Sequence, residues 1–130
     1  MEKTFTDIYE KSFWGSNGHQ EYKGSSGLGS EINYNKDTYI PFLKTWLDTN
    51  EIKSVADVGC GDFVCGKYIY DDLNLKYDGY DTYKKLIDYH KKTICDEKYE
   101  FTHLDILKDK SKLKNADVCI IKDVLQHWGT

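Results

Sequence analysis

Apolar positions along this chain follow two rhythms. Ile40, Leu43, Trp46 and Leu47 recur at the three- and four-residue spacing of a helix face, which predicts a sheet-packed helix over 38–49 with Pro41 in its first turn, where a missing N–H is tolerated. Four short runs, 54–58, 76–80, 99–104 and 117–121, have the length of strands, the last of them near-continuously apolar. Between them, 63–70 predicts a short helix. Tyr83, Leu86, Ile87, His90 and Ile94 trace the apolar side of an amphipathic one, with Lys84, Lys85, Lys91 and Lys92 on its wet side. Strand alternating with helix predicts an α/β fold with a parallel sheet of about four strands and flanking helices in a three-layer α/β/α stack. Right-handed crossovers then place strand one beside strand four, where strand order reverses, and ligands bind at the carboxyl ends of the strands at such a point.

The junction after the first strand carries the candidate chemistry. It reads S-V-A-D-V-G-C-G-D-F from Ser54 to Phe63, a strand running into a turn in which Gly59 and Gly61 allow tight bending and close approach to a ligand. Asp81 closes the second strand about 20 residues later, the distance at which an acid takes ribose hydroxyls in nucleotide sites. A dinucleotide is disfavoured, because Val64 stands where the third glycine of that fingerprint would allow close packing over a pyrophosphate.

Asp57-x-Gly59-x-Gly61, Asp81, Asp105 after the third strand and D-V-C-I-I-K-D-V-L-Q-H-W from Asp117 to Trp128 together resemble the class I S-adenosylmethionine (SAM) dependent methyltransferases. The resemblance implies a Rossmann-like fold with SAM as cofactor and S-adenosylhomocysteine as product. It implies that the turn at Asp57, Gly59, Cys60 and Gly61 holds the methionine part. Asp81 would take the ribose, and Asp105 with the Ile106 backbone the adenine amino group. Lys122 would face the donor's amino-acid end, and Asp123 and His127 would orient or deprotonate an acceptor. Phe63 departs from the family pattern, which often has a third glycine there. The glycine- and serine-rich run 24–30 looks like a loop preceding the core in some members, so Tyr22, Ser26 and Gly27 are expected near the SAM carboxylate.

Composition narrows the partners. The chain of 130 residues is read as one domain, 1–130, with an N-terminal helix and Gly/Ser-rich lid loop over 1–34 and a methyltransferase core over 35–130. Within 1–34, a short helix over 6–14 leads into the loop 15–30, whose Tyr22 and His19 suit a cover over a ligand. All 18 basic residues are lysines, and the net charge is −4, which argues against nucleic acid. The four cysteines lack redox or zinc spacing and are expected to be reduced and mostly buried. His19, His90 and His103 lack metal-ligand spacing, so no metal is expected. With no signal sequence or membrane span in view, the expected location is the cytoplasm.

The family's full sheet has seven strands, so the resemblance covers its SAM-binding half, truncated after strand four. Strand four would then be an apolar edge, and a homodimer through that edge is expected. Three functions stay open: methyl transfer to a small acceptor, SAM or S-adenosylhomocysteine binding without catalysis, and SAM breakdown.

Overall fold

A four-stranded sheet in the order β3-β2-β1-β4 organises the computed structural model, which describes residues 32–122. The expected helix at 6–14, the lid loop with Tyr22, Ser26 and Gly27, and the acceptor residues Asp123 and His127 lie outside the described residues. A short helix α1 (Ile32–Asn35) precedes α2 (Tyr39–Thr49), followed by β1 (Ser54–Val58), α3 (Gly66–Tyr70), β2 (Lys76–Asp81), α4 (Lys84–Thr93), β3 (Tyr99–His103), a 3₁₀ turn (Lys110–Lys112) and β4 (Val118–Ile120). Every strand pairing is parallel, and β1 lies between β2 and β4. The fold is α/β and Rossmann-like, with the strand order reversing between β1 and β4 as the alternation of elements predicts.

Register explains the core. Val55, Tyr77 and Tyr99 are cross-strand partners, as are Asp57, Gly79 and Phe101, so one sheet face carries all six positions. On that face Val55, Tyr77, Tyr99 and Phe101 pack with Ile40, Leu43 and Leu47 of α2, Ile69 and Tyr70 of α3, and Ile87 of α4. The helical layer of the described residues therefore lies there. On the opposite face Ala56, Tyr80 and Leu104 are covered by Leu113 and Ala116 from the segment that leads to β4. Among the described residues, the second helical layer expected from the sequence is represented only by the 3₁₀ turn. The lysine- and aspartate-rich run before β4 lacks the apolar periodicity of a helix.

Three expectations are corrected. Trp46 is 41% exposed instead of packed on the sheet; it stands one helical turn beyond Phe42, itself 67% exposed, on the outer flank of α2. The helix after the glycine turn starts at Gly66, not at 63, because Phe63 has a left-handed φ of 61° that no helix accommodates. The cysteines are not mostly buried: Cys60 and Cys65 are half-buried, while Cys95 and Cys119 are exposed. Cys119 lies on β4 opposite Ala56, on the thinly covered face.

Lys98 gathers the carboxyl end of α3 and the turn after it. The Lys98 ammonium donates to the carbonyls of Tyr70 at 2.6 Å, Asp71 at 2.8 Å and Leu73 at 2.6 Å. Three ammonium protons thus meet three carbonyls at the end of α3 and in the turn that follows it, where the Tyr70 carbonyl also accepts from the Leu73 N–H. Lys98→Met is expected to lower stability by about 2 kcal/mol, since hydrogen bonds to a charged donor contribute ~1.5–3 kcal/mol. Urea denaturation measures the shift, and an unchanged midpoint would show that water replaces the ammonium without loss.

Candidate functional site

The turn after β1 has a backbone that few sequences could adopt. Gly59 and Gly61 have φ of 84° and 61°, and Phe63 joins them at 61°. The glycines enter this region without steric cost, but a left-handed phenylalanine is a strained residue that its surroundings must hold. Its ring supplies the hold. It is tilted against Tyr77 at 5.0 Å between centroids and meets Phe101 and Tyr99 edge-on at 5.3 and 5.5 Å. Gly66 makes room for it, because a Cβ there would fall 1.9 Å from the Phe63 ring.

The turn is fastened to the end of β2. The N–H groups of Gly59 and Cys60 both donate to the Tyr80 carbonyl, at 2.8 and 3.0 Å. The Gly61 N–H donates to Asp81 Oδ2 at 2.9 Å, and the Tyr83 N–H to Asp81 Oδ1 at 3.1 Å. The Leu104 N–H reaches the Asp81 carbonyl at 2.9 Å, which brings the start of the Asp105 turn alongside. There the Asp105 carboxylate accepts from the Leu107 N–H at 3.0 Å. Burial raises the Asp81 pKa above the ordinary carboxylate value, against the lowering effect of its backbone donors.

An open cleft of about 530 Å³, mouth included, lies beside the turn. Asp57, Gly59, Cys60 and Lys122, all singled out from the sequence, line it. Gly61, Asp81, Asp105 and Ile106 are outside its lining, and Asp81 is only 7% exposed. The structure thus divides the expected set between a cleft group at β1 and β4 and a second group outside the lining, Gly61 of the same turn with Asp81, Asp105 and Ile106 at or after the ends of β2 and β3. Tyr39, Asn35, Asp62 and Cys65 complete the polar side of the cleft. The Lys122 ammonium sits 5.2 Å from the Tyr39 ring centroid, a cation–π distance.

Two side chains that brace this region are not marked by any motif in the sequence. The Tyr77 hydroxyl donates to Asp57 Oδ2 at 2.6 Å. Gly79 permits this, because a Cβ there would come within 2.9 Å of both Tyr77 and Phe101. A glycine inside a strand marks such a close approach and was the available signal. His90, placed on α4 as one apolar-face residue among others, directs Nε2 at the Gly61 carbonyl, 2.8 Å away.

The cleft suits a zwitterionic ligand end. It offers a carboxylate, Asp57, and an ammonium, Lys122, in a half-enclosed setting with aromatic walls. Burial pushes the Asp57 carboxyl up from 3.8 to about 6; the Tyr77 hydrogen bond and Lys122 oppose the rise and Asp81 adds to it. Burial likewise raises the Cys60 thiol pKa, and the neighbouring Asp81 and Asp57 add to it, so a thiolate nucleophile is disfavoured there. Among the described residues no group of three or more His, Cys, Asp or Glu could hold a metal ion, and no helix is long and apolar enough to cross a membrane.

No family model matches the chain, and no curated protein matches it. Among solved structures it is similar to the plantazolicin methyltransferase BpumL in complex with SAH, at 27% identity and a TM-score of 0.47 over 60% of this chain and 31% of that one. It is also similar to the same methyltransferase in complex with a pentazolic desmethylPZN analog and SAH, at 26% identity and a TM-score of 0.47 over 67% of this chain and 37% of that one. The chain therefore matches about a third of the length of those structures.

The raised Asp57 pKa fixes the sign of a pH effect. Below pH 3.8 the carboxyl is protonated in both folded and unfolded states; between 3.8 and about 6 only the folded state keeps the proton, so stability falls as pH rises. The full cost, about 3 kcal/mol, is present above that window. Asp57→Asn keeps an acceptor for Tyr77 and removes the titration. Its stability advantage over the parent is therefore expected to grow between pH 4 and 6, measured by urea denaturation across that range. A difference that does not change with pH would show that the carboxylate is not desolvated.

Proposed function

We propose that this chain binds SAM along the carboxyl edge of its sheet and serves methyl transfer to a small acceptor. The observation that carries the reading is the joining of the glycine turn to the acid of β2, Gly61 N–H on Asp81, beside a cleft that presents Asp57 and Lys122. Asp57 and Lys122 would face the ammonium and carboxylate of the methionine part. Asp81 would use its remaining lone pairs for the ribose, and Asp105 with the Ile106 N–H would take the adenine. Tyr22, Ser26 and Gly27 would close over the carboxylate, and Asp123 with His127 would orient the acceptor or take up its proton.

SAM, when bound, supplies an activated methyl group on a sulfonium. The protein's work is then alignment: the Gly59–Gly61 backbone and the Asp57–Lys122 pair fix the amino-acid end, so that the acceptor residues need only bring a nucleophile into line. We also propose that a second copy pairs at β4. This strand is bonded to β1, and among the described residues no strand pairs with its other edge, where an apolar run leaves Ile121 exposed.

Calorimetric titration with SAM and S-adenosylhomocysteine is expected to show micromolar binding. Asp81→Asn should weaken it by about 10-fold or more, because an amide can accept from only one of the Gly61 and Tyr83 N–H groups and the turn loses an anchor. A folded parent that binds neither compound would overturn the reading. Methyl transfer into a cell extract then separates an enzyme from a binding module, and cleavage products formed without an acceptor would indicate SAM breakdown instead. Light scattering tests the pairing at β4, and a monomer at micromolar concentration would exclude it.

A further inference from the structure

Gly61, like Gly59, has no Cβ to limit its backbone, yet both of its torsions are fixed by side chains from other elements. Its N–H belongs to the peptide before Cα and is held by Asp81 of β2; its carbonyl belongs to the peptide after Cα and is held by His90 of α4. The first bond sets φ and the second sets ψ. A carbonyl carries no proton, so Nε2 of His90 must be the donor, which defines the protonated nitrogen. The imidazole is 2% exposed, and its ring lies 4.8 Å from Phe101 and 6.0 Å, edge-on, from Phe63. An apolar residue would fill this space at less desolvation cost, so the hydrogen bond is what the histidine adds.

We propose that His90 is a positioning residue of the ligand site. Through the Gly61 carbonyl, α4 holds the glycine turn in the shape that the ligand meets, although His90 does not line the cleft. This role rests on the SAM reading given above. It predicts that the donor matters more than the ring: His90→Gln extends an amide N–H toward the same carbonyl, whereas His90→Leu fills the volume without a donor.

The test compares parent, His90→Gln and His90→Leu for S-adenosylhomocysteine affinity by calorimetry and for the backbone amide resonances of 59–64 by NMR. His90→Leu is expected to shift those resonances and weaken binding about 10-fold, with His90→Gln within about 3-fold of the parent. A folded His90→Leu with parental affinity, or a His90→Gln as weak as His90→Leu, overturns the proposal. If His90→Leu does not fold, the parent's imidazole decides: an exchange-protected Nε2 proton coupled to the Gly61 carbonyl supports the role, and an unprotected one overturns it. A parent that binds neither S-adenosylhomocysteine nor SAM overturns the ligand reading and the role with it, while the resonances of 59–64 still report whether His90 clamps the turn.

Discussion

A buried carboxylate is costly, and at Asp81 burial still outweighs the backbone N–H groups that meet it, two of which come from different parts of the chain. One comes from the turn after β1, the other from the entry to α4. The acid is therefore a junction before it is anything else. It ties the glycine turn, the end of β2 and the start of the next helix into one unit. The Leu104 N–H on its carbonyl adds the end of β3. Because the turn also hangs on the Tyr80 carbonyl, a shift at the end of β2 would pass directly to the cleft at Gly59 and Cys60.

Phe63 shows how the same turn is stabilised from the other side. A left-handed backbone at a large residue costs on the order of 1–3 kcal/mol and persists only where packing over-determines it. Here the ring fills the centre of an aromatic cluster that joins β2, β3 and α3, and Gly66 is small because the ring lies over it. A third glycine would allow the same φ without cost, but it would bring no side chain to the core. The turn is thus held by polar contacts on its β2 side and by aromatic packing beneath.

Much of this arrangement was legible in the chain itself. β1 agrees with its expected bounds, and the parallel order with β1 beside β4 follows from alternation and crossover handedness. The pairing of Gly61 with Asp81 was visible as spacing. What spacing could not reveal was direction. His90 keeps the apolar rhythm of α4, and only the fold shows that its Nε2 meets a glycine carbonyl 29 positions earlier. Tyr77 reads as a strand aromatic until register places Gly79 opposite Asp57 and opens the path for its hydroxyl. Helix period also placed Trp46 inward, because a spacing of three residues from Leu43 fits the edge of the buried face as well as its middle.

The electrostatics of the cleft connect these parts to the proposed ligand. Asp57 lies where Tyr77 and Lys122 stabilise its charge and Asp81 opposes it, and desolvation outweighs the stabilisation, so the carboxyl holds its proton to about pH 6. A group balanced in this way responds strongly to one further charge. A ligand ammonium would favour the ionised form and recover in binding what burial costs the fold, whereas a neutral or anionic group in the same place would not. On the proposed reading, the carboxylate that makes the free protein less stable near neutral pH is thus what selects a cationic amino group. Lys122, which lines the same cleft, would select the carboxylate that accompanies it.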